Sequence, residues 1–497
     1  MFDFFKRDKL DDNLERSFRK NPHLTGKRSA YTSDNVGRFL QGWETQTATI
    51  DYYLKHELGV LRARSREMVR QNPYGKRFVT TVKSNVIGPQ GVVVQAQTIY
   101  NRQPDQAANA ALEKAFSDWG NDPRQCDYQG KLSWVDFQNM AVSCAAQDGE
   151  FFIRVHRGEG DFGLQLEIID PELVDTELNK ELANGEIRLG IEYDSRNKVV
   201  RYHFKKKRQG GNNSQGYDNY KRYSIEADSI IHGFIPEYPD QSRGIPWLHA
   251  SLERAKHLDK YIEAAIVKAR STAATMAFIK TPPGEDAYQG EDGEWGDYTV
   301  DQYEPGSIKD IGQRDVVNVD SSYPHQMYSS FVKAQLQSIA SGLGISYHAL
   351  SADLEGVNYS SIRAGVLEDR EIFKGIQNWF IRSLVRQVWE EWVYMAIMRK
   401  RISIGGKPLF RPAEEYLPAF FQGRRWAWVD PQKDSAANEL AIRMRLKSRT
   451  QVIREQGDDP ESVFLQCKAD EELMEKLGLQ EIPPLTNQQP QEAPSDE

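Results

Sequence analysis

The chain has 497 residues, of which 39% are hydrophobic and 27% are charged, and its formal net charge is -8. A chain of this length predicts two or three folded units rather than one. The acidic balance argues against a protein whose whole surface binds nucleic acid, since such proteins carry a basic footprint.

The three cysteines, Cys126, Cys144 and Cys467, are odd in number and widely spaced, without a Cys-x-x-Cys pair. This spacing predicts neither a zinc site nor a disulfide framework, and it favours a reducing compartment. No apolar run reaches the roughly 18 residues of a membrane span. The first residues, MFDFFKRDKLDD, lack the apolar stretch of a signal peptide. We therefore expect a protein kept in a cytoplasm-like compartment, with no membrane partner.

The first half of the chain mixes helical and strand-like patterns. Residues 1–49 predict a loosely ordered arm, whereas residues 50–245 predict an α+β body. Apolar residues three and four positions apart indicate helices, and β-rich runs between turn residues indicate strands. The predicted helices run from about Ile50 to Asn72 and over Tyr74–Ile87, Ala107–Trp119 and Trp134–Gln147. The predicted strands are residues 92–97, Phe151–His156, Leu164–Ile169, Ile187–Tyr193, Val199–Phe204 and Ile230–Phe234.

Two basic clusters lie in this half. One belongs to the first two helices and consists of Arg62, Arg64, Arg66, Arg70, Lys76 and Arg77. It is compatible with a nucleic-acid patch, but a solvated helix face is the favoured interpretation. The other surrounds the flexible sequence GGNNSQG within Arg201–Arg222 and predicts a basic hairpin tip, with contact to DNA or a partner as the alternative.

The second half predicts long helices around an acidic segment. From Pro246 the apolar spacing continues for about 30 residues, which corresponds to a helix of about 45 Å. Residues 281–323 are rich in Asp and Glu and predict a solvated projection that faces a partner. Weak strands are expected there at Ser307–Ile311 and Val316–Val319, and a return helix is expected over Pro324–Leu343.

A polar, Gly-rich connector then leads to a third long helix, predicted over Ser361–Arg401. Gly365 and Gly375 each weaken this helix by about 1 kcal/mol relative to Ala, so they are candidate bending points. Its tryptophans are expected in a core or a subunit contact: Trp379, Trp389 and Trp392. Surface helices are predicted over Asp434–Lys447 and Ser462–Leu477, and a disordered tail over residues 481–497.

Motifs along residues 50–465 resemble, in order, the lambda family of tailed-phage portal proteins. They are LRARSREMVRQNPYGKRFVTTVKSNVIG at residues 61–88, QSRGIPWL at 241–248, ASGLG at 340–344, NYSSIRAG at 358–365 and WAWVDP at 426–431. The resemblance implies an α+β portal-protein fold with a wing, two stem helices, a clip, a tunnel loop and a crown. The implied boundaries are an arm (1–49), wing (50–245), first stem helix (246–280), clip (281–323), second stem helix (324–343), tunnel loop or connector (344–359), long wing or channel helix (360–401), crown (402–480) and tail (481–497).

The same resemblance implies a homo-oligomeric ring, typically of twelve subunits, at one capsid vertex of a virion. Double-stranded DNA would be packaged and ejected through its channel. The terminase large subunit and head-completion or adaptor proteins would dock on the clip, and the major capsid and scaffold proteins would be further partners. Assembly would take place in the host cytoplasm. The net negative charge suits a channel through which DNA slides, because tight phosphate binding would hinder movement.

Site residues follow from the resemblance and from position. The implied tunnel loop comprises Ala352, Asp353, Leu354, Glu355, Gly356, Val357 and Asn358. The candidate channel-facing cations are Lys333, Arg363 and Lys374. The candidate partner-binding residues of the clip are Glu291, Asp292, Glu294, Trp295 and Asp297.

Sequence motifs for catalysis or cofactor binding are missing. The chain has no G-x-x-x-x-G-K-[ST], H-E-x-x-H or G-x-S-x-G motif, and its nine histidines are scattered. The G-x-G-x-x-G match at Gly158–Gly163 lies between two predicted strands, so it predicts a hairpin turn rather than a dinucleotide site. We expect no enzyme, no metal and no cofactor. Two alternatives stay open: a non-portal adaptor or scaffold of a virus-like particle, and a nuclease that uses the acids of residues 285–304.

Overall fold

The computed structural model describes residues 48–207, 217–274, 278–280, 315–317, 327–355, 359–426, 431–456 and 460–478. Helices and small antiparallel sheets make up these parts of the chain. The α-helices are α1 (Ile50–Gln71), α2 (Pro73–Val86), α3 (Gln106–Asn121), α4 (Pro123–Cys126), α5 (Trp134–Asp148), α6 (Leu252–Ala274), α7 (Tyr328–Gly342), α8 (Tyr347–Ser351), α9 (Tyr359–Phe380), α10 (Arg386–Met398), α11 (Pro431–Arg443), α12 (Arg449–Gln456) and α13 (Pro460–Leu477).

The strands form two larger sheets and several two-stranded pairs. They are β1 (Val93–Ala96), β2 (Ile99–Tyr100), β3 (Gln103–Pro104), β4 (Glu150–Arg157), β5 (Leu164–Ile169), β6 (Lys180–Leu182), β7 (Gly185–Arg188), β8 (Ile191–Asp194), β9 (Val199–Lys207), β10 (Tyr217–Glu226), β11 (Ile230–Phe234), β12 (Phe278–Lys280), β13 (Asp315–Val317), β14 (Ser403–Ile404), β15 (Lys407–Pro408) and β16 (Ala419–Gln422). One sheet has the order β11-β4-β5 and the other has the order β10-β9-β8-β7-β6. The remaining pairs are β1 with β16, β2 with β3, β12 with β13, and β14 with β15.

The main core joins segments that are far apart in the sequence. It takes buried side chains from α1 to α3, α5, β4, β5 and the α9–α10 region, and reaches Tyr416. Phe116 lies at an aromatic centre, with its ring centroid 5.3 Å from that of Trp119 and 5.0 Å from that of Trp392. Trp389 and Trp392 are fully buried. Trp379 packs against the core and donates from Nε1 to the carbonyl of Phe234 at 2.9 Å. The core role predicted for these tryptophans is confirmed.

Most predicted elements of the first half agree with the structure, with one correction. The predicted strand Ile187–Tyr193 is two strands, β7 and β8, because Leu189 and Gly190 both have positive φ and turn the chain between them. The Gly158–Gly163 segment is the turn between the antiparallel strands β4 and β5, as predicted. In it, the Gly158 N–H donates to the Gly163 carbonyl at 2.8 Å.

The long helix after Pro246 begins later than its apolar spacing predicts, at Leu252. The residues in between make turn contacts: the His249 N–H donates to the Pro246 carbonyl, and the Trp247 N–H donates to the carbonyl of Ala146. These hydrogen bonds hold the backbone of residues 246–251 in turns, so the helix starts only after them. Beyond α6, the pair β12–β13 is described, whereas the predicted strand Ser307–Ile311 lies outside the described residues.

The third long helix is interrupted, but not at the predicted glycines. Gly365 and Gly375 lie inside α9, which continues to Phe380. A π-helical turn, Ile381–Val385, then separates α9 from α10. A π turn inserts one extra residue and so shifts the phase of the apolar stripe. Because of this shift, the buried residues on both sides of the turn face the same core.

Two of the described C-terminal helices, α11 and α13, begin at prolines. The predicted helix Asp434–Lys447 is α11, which starts at Pro431, and the predicted helix Ser462–Leu477 is α13, which starts at Pro460. Proline is favoured in the first helical turn, where its missing N–H costs nothing. None of the described helices combines the length and apolar character needed to cross a membrane.

Candidate functional site

The connector between α7 and α9 contains a short helix, α8, where the sequence pattern predicted only a polar link. Ser346 caps this helix, because its Oγ accepts the N–H of Ala349 at 3.2 Å. The helix ends at Ala352, whose backbone is left-handed at φ 59° and whose N–H donates to the His348 carbonyl at 3.0 Å. Five residues are too few for apolar periodicity to reveal a helix, so the sequence offered no signal for it.

The described part of the predicted tunnel loop, Ala352–Glu355, is organised by Asp353. Its carboxylate accepts the Tyr347 hydroxyl at 2.7 Å and the Glu355 N–H at 2.9 Å. Its carbonyl accepts His348 Nδ1–H at 2.6 Å. The Glu355 N–H, then the Tyr347 hydroxyl, hold the pKa of Asp353 below its usual value, so it is ionised at neutral pH. Burial, reinforced by the hydrogen bond to Asp353, raises the pKa of Tyr347.

Beyond Asp353 the described loop has an exposed apolar side chain. Leu354 is 61% exposed, although it is a large apolar residue. Gly356, Val357 and Asn358 lie outside the described residues. The loop therefore starts from a fixed, hydrogen-bonded base and points an apolar side chain into solvent.

The start of the connector is attached to two other helices. Ser346 donates its N–H to Asp369 Oδ1 at 2.8 Å and its hydroxyl to Oδ2 at 2.6 Å. Asp369 belongs to α9 and is only 8% exposed. From α2, Arg77 Nε donates to the carbonyl of Ala349 at 2.8 Å. Sequence reasoning missed Ser346 and Asp369 altogether, since no motif marks either residue.

The three candidate channel cations lie in different environments. Lys333 Nζ lies 5.5 Å from the centroid of the Tyr347 ring, beside the connector. On α9, Arg363 pairs with Asp434 at 3.4 Å, and Lys374 pairs with Glu371 at 2.5 Å. The structure thus brings Lys333 next to the connector and gives the other two cations acidic partners.

The candidate clip residues lie outside the described residues. They are Glu291, Asp292, Glu294, Trp295 and Asp297. The flanking strands β12 and β13 pair with each other, with Phe278 opposite Val317.

The first basic cluster requires a correction. Arg62 is 1% exposed and Arg66 is largely buried, so neither belongs to a solvated face or to a nucleic-acid patch. Arg66 binds Asp148 at 2.7 Å and Asp170 at 2.6 Å. The remaining four residues are exposed, which both a solvated face and a nucleic-acid patch would require: Arg64, Arg70, Lys76 and Arg77.

Arg62 is part of a buried network around the carboxylate of Glu150. Glu150 binds Arg62, and it also binds Arg243 with an Nη2–Oε1 distance of 2.6 Å. Its second oxygen accepts His232 Nε2–H at 2.9 Å and the Gly244 N–H at 3.0 Å. Burial alone would raise the pKa of Glu150, but the charges of Arg243 and Arg62 outweigh it and hold that pKa well below its usual range. The network joins α1, β4 and the QSRGIPWL segment that leads into α6.

The second basic cluster is partly neutralised. Strands β9 and β10 form the predicted hairpin. Lys205 and Arg222 both bind Asp175, whose side chain is fully buried, and the distance from Lys205 is 3.4 Å. The tip, residues 208–216, lies outside the described residues. Contact between this hairpin and DNA stays a prediction.

The described residues contain no group of His, Cys, Asp and Glu able to hold a metal ion. Burial raises the pKa of the Cys126 thiol and of the Cys144 thiol to about 12, so both remain protonated and weakly nucleophilic. His203 binds Glu192 at 2.9 Å, as His232 binds Glu150. Both histidines are therefore bound to carboxylates within the sheets.

Comparison with known proteins identifies the family. The family model described as phage portal protein, lambda family, matches residues 36–377. A probable portal protein of Halomonas phage phiHAP-1 is 31% identical over 478 residues, covering 94% of this chain and 87% of the relative. The portal protein of Escherichia phage N15 is 23% identical, covering 86% of this chain and 87% of the relative. Portal protein B of Escherichia phage lambda is 22% identical, covering 86% of each chain.

Among solved structures, the chain is similar to one described as the neck of an empty GTA particle computed with C6 symmetry. The identity is 12% and the TM-score 0.42, over 82% of this chain and 94% of the other. A chain from the virion of a native gene transfer agent particle is 11% identical with a TM-score of 0.42, over 80% and 93%.

The family model spans more than half of the chain, and the Halomonas phage relative exceeds 30% identity over nearly all of it. The chain therefore belongs to the lambda family of phage portal proteins.

Proposed function

We propose that the chain assembles into a ring, typically of twelve subunits, at one capsid vertex of a virion. Double-stranded DNA enters and leaves the capsid through the axial channel of this ring, and assembly takes place in the host cytoplasm. The observation that carries the proposal is family membership, supported by a match over residues 36–377. The proposed role is structural rather than catalytic, in keeping with membership of the portal-protein family.

The connector supplies the part of the subunit that touches DNA in this proposal. Its contacts support the idea, because the base is held by hydrogen bonds while Leu354 is exposed. In Ala352–Glu355 the charged side chains are both acidic. Such a surface does not grip phosphates, which suits passage of DNA better than tight binding.

The acidic clip is the proposed docking surface for partners. These are the terminase large subunit during packaging and head-completion or adaptor proteins afterwards, with the major capsid and scaffold proteins around the ring. Acidic side chains there would recognise basic segments of a partner, which raises specificity and association rate more than affinity. The residues concerned are Glu291, Asp292, Glu294, Trp295 and Asp297.

The test combines imaging with a packaging assay. Negative-stain images of the purified protein are expected to show annular particles. Replacing residues 353–358 with a Gly-Ser linker of equal length is expected to leave the rings intact while packaging or retention of DNA falls. A strictly monomeric protein in mass photometry would contradict the ring. Intact rings with unchanged packaging would contradict the role of the loop and favour a non-portal adaptor or scaffold.

A further inference from the structure

The connector between α7 and α9, which carries the proposed DNA loop, is attached to α9 at two points. At its C-terminal end the connector runs directly into Tyr359, the first residue of α9. At its N-terminal end Ser346 binds Asp369, ten residues further along the same helix. Ten helical residues span about 15 Å. The two attachment points are therefore held at a fixed separation by one rigid element.

We propose that Asp369 is a positioning residue, which sets the direction in which the loop after Ala352 leaves the subunit. This inference rests on the proposed role of that loop in the DNA channel. Asp369 does not reach the loop tip. It acts through Ser346, whose hydroxyl in turn caps α8 and so orients the helix from which the loop departs.

The strength of the contact supports this role. Both bonds from Ser346 end on the side-chain oxygens of Asp369, at 2.8 and 2.6 Å. Hydrogen bonds of this length to a carboxyl group are among the strong ones. Asp369 is nearly excluded from water, so competition from solvent is weak. By contrast, the five-residue helix α8 has little stability of its own, because helices this short are marginal in water.

The other contacts of α8 are of different kinds. Leu350 is fully buried in the main core and holds the middle of the helix there. The bond from Arg77 to the Ala349 carbonyl lies on the exposed surface. The bonds among Tyr347, His348 and Asp353 are internal to the connector, so they shape it without fixing it to the body. Among the described hydrogen bonds, the two from Ser346 to Asp369 join the start of the connector to α9.

Substitution of Asp369 is expected to free the base of the loop without dismantling the ring. In Asp369→Ala the Ser346 N–H and hydroxyl lose their acceptor. Because these two hydrogen bonds stabilise the base of the loop, their loss is expected to raise the rate of amide exchange in residues 347–355 by about tenfold or more. Asp369→Asn keeps one oxygen for the Ser346 N–H, and its amide can donate to the Ser346 oxygen. We therefore expect partial rescue by Asp369→Asn.

The experiment uses assembled rings of the full chain with and without the Gly-Ser replacement of residues 353–358. Amide exchange and DNA retention are both measured for Asp369→Ala, Asp369→Asn and Ser346→Ala. Ser346→Ala removes the hydroxyl bond to Asp369 and the cap bond from Ala349, but it keeps the backbone bond to Asp369. It serves if Asp369→Ala does not fold. The matched control is Glu368→Ala, at an exposed neighbouring position of the same helix.

Support requires that Asp369→Ala lowers DNA retention when the native loop is present and adds nothing when the loop has been replaced. A different result would overturn the positioning role and leave the proposed function standing. In that case Asp369→Ala would speed amide exchange, and loop replacement would lower DNA retention, but Asp369→Ala would retain as much DNA as the unsubstituted protein. An equal loss in both backgrounds would identify a general structural defect and would also overturn it. If loop replacement itself had no effect on retention, the proposed function of the loop would fail first.

Discussion

The buried carboxylate of Glu150 offers a strict test of how the fold is held together. Glu150→Gln keeps the size of the side chain but removes its charge. Arg62 and Arg243, which are 1% and 0% exposed, are then left without their shared counter-ion. The NH2 group of the glutamine would also face other hydrogen-bond donors. In the wild type, the carboxylate oxygens accept hydrogen bonds from His232 Nε2–H and from the Gly244 N–H.

The expected magnitude follows from burial. Removing one partner of a buried ion pair costs about 3–5 kcal/mol, mostly because the remaining charge is stranded. Two arginines are stranded here, so we expect the upper end of this range, about 5 kcal/mol of unfolding free energy. The exposed pair Arg157–Glu391, with side chains 30% and 32% exposed, provides the matched control. Glu391→Gln is expected to cost at most about 1 kcal/mol.

The assay is thermal unfolding of purified rings at one fixed protein concentration, because oligomerisation makes the midpoint depend on concentration. Glu150→Gln should lower the unfolding midpoint by several times the shift that Glu391→Gln produces. Amide exchange in α1 and in residues 241–248 should rise in the Glu150 variant alone. Equal midpoints for the two variants would refute the reasoning, since they would mean that the buried network contributes no more than a surface ion pair.

Four further outcomes are expected. Burial lowers the pKa of His232, although the hydrogen bond to Glu150 opposes this shift. The folded state therefore favours the neutral ring. The resulting stability is present above the unfolded pKa of about 6.5 and is lost as the pH falls below that value. Thermal scans from pH 7 to 5 should show this loss, and His232→Gln should remove part of the slope. Gly244→Ala should prevent folding, judged by soluble yield, because a Cβ there would lie 2.1 Å from a carbonyl oxygen. At Gly375 a Cβ meets nothing within 4 Å, so Gly375→Ala should stabilise α9 by about 1 kcal/mol. Phe116→Ala should cost about 3–5 kcal/mol in calorimetry, through the cavity left among the tryptophans.

Local patterns in the sequence sufficed for much of the fold. The break between α1 and α2 was predictable because the residue before a proline avoids the helical region, and Asn72 precedes Pro73. The β4–β5 hairpin was predictable from its glycines. The order of the motifs was enough to indicate the family, which the comparisons confirm.

The environment of individual charges could not be read in the same way. Arg62 and Arg66 fit a solvated helix face by spacing, yet both bind acids far along the chain. Arg62 and Arg243 meet Glu150 across 88 and 93 residues of sequence. Helical periodicity reports which side chains share a face, but it carries no information about the segment that packs on that face.

The connector also combines features that the sequence predicts with features that only the tertiary structure shows. The sequence determined that a polar link joins two long helices, and its resemblance to the family predicts that residues 352–358 form the tunnel loop. Only the tertiary structure decided that the link contains a helix, that its base is bonded to Asp369, and that Leu354 is left in water. Periodicity needs more residues than α8 provides, and the bond from Ser346 depends on how α9 folds back beside it, because a hydrogen bond between distant residues exists only once the chain has brought them together.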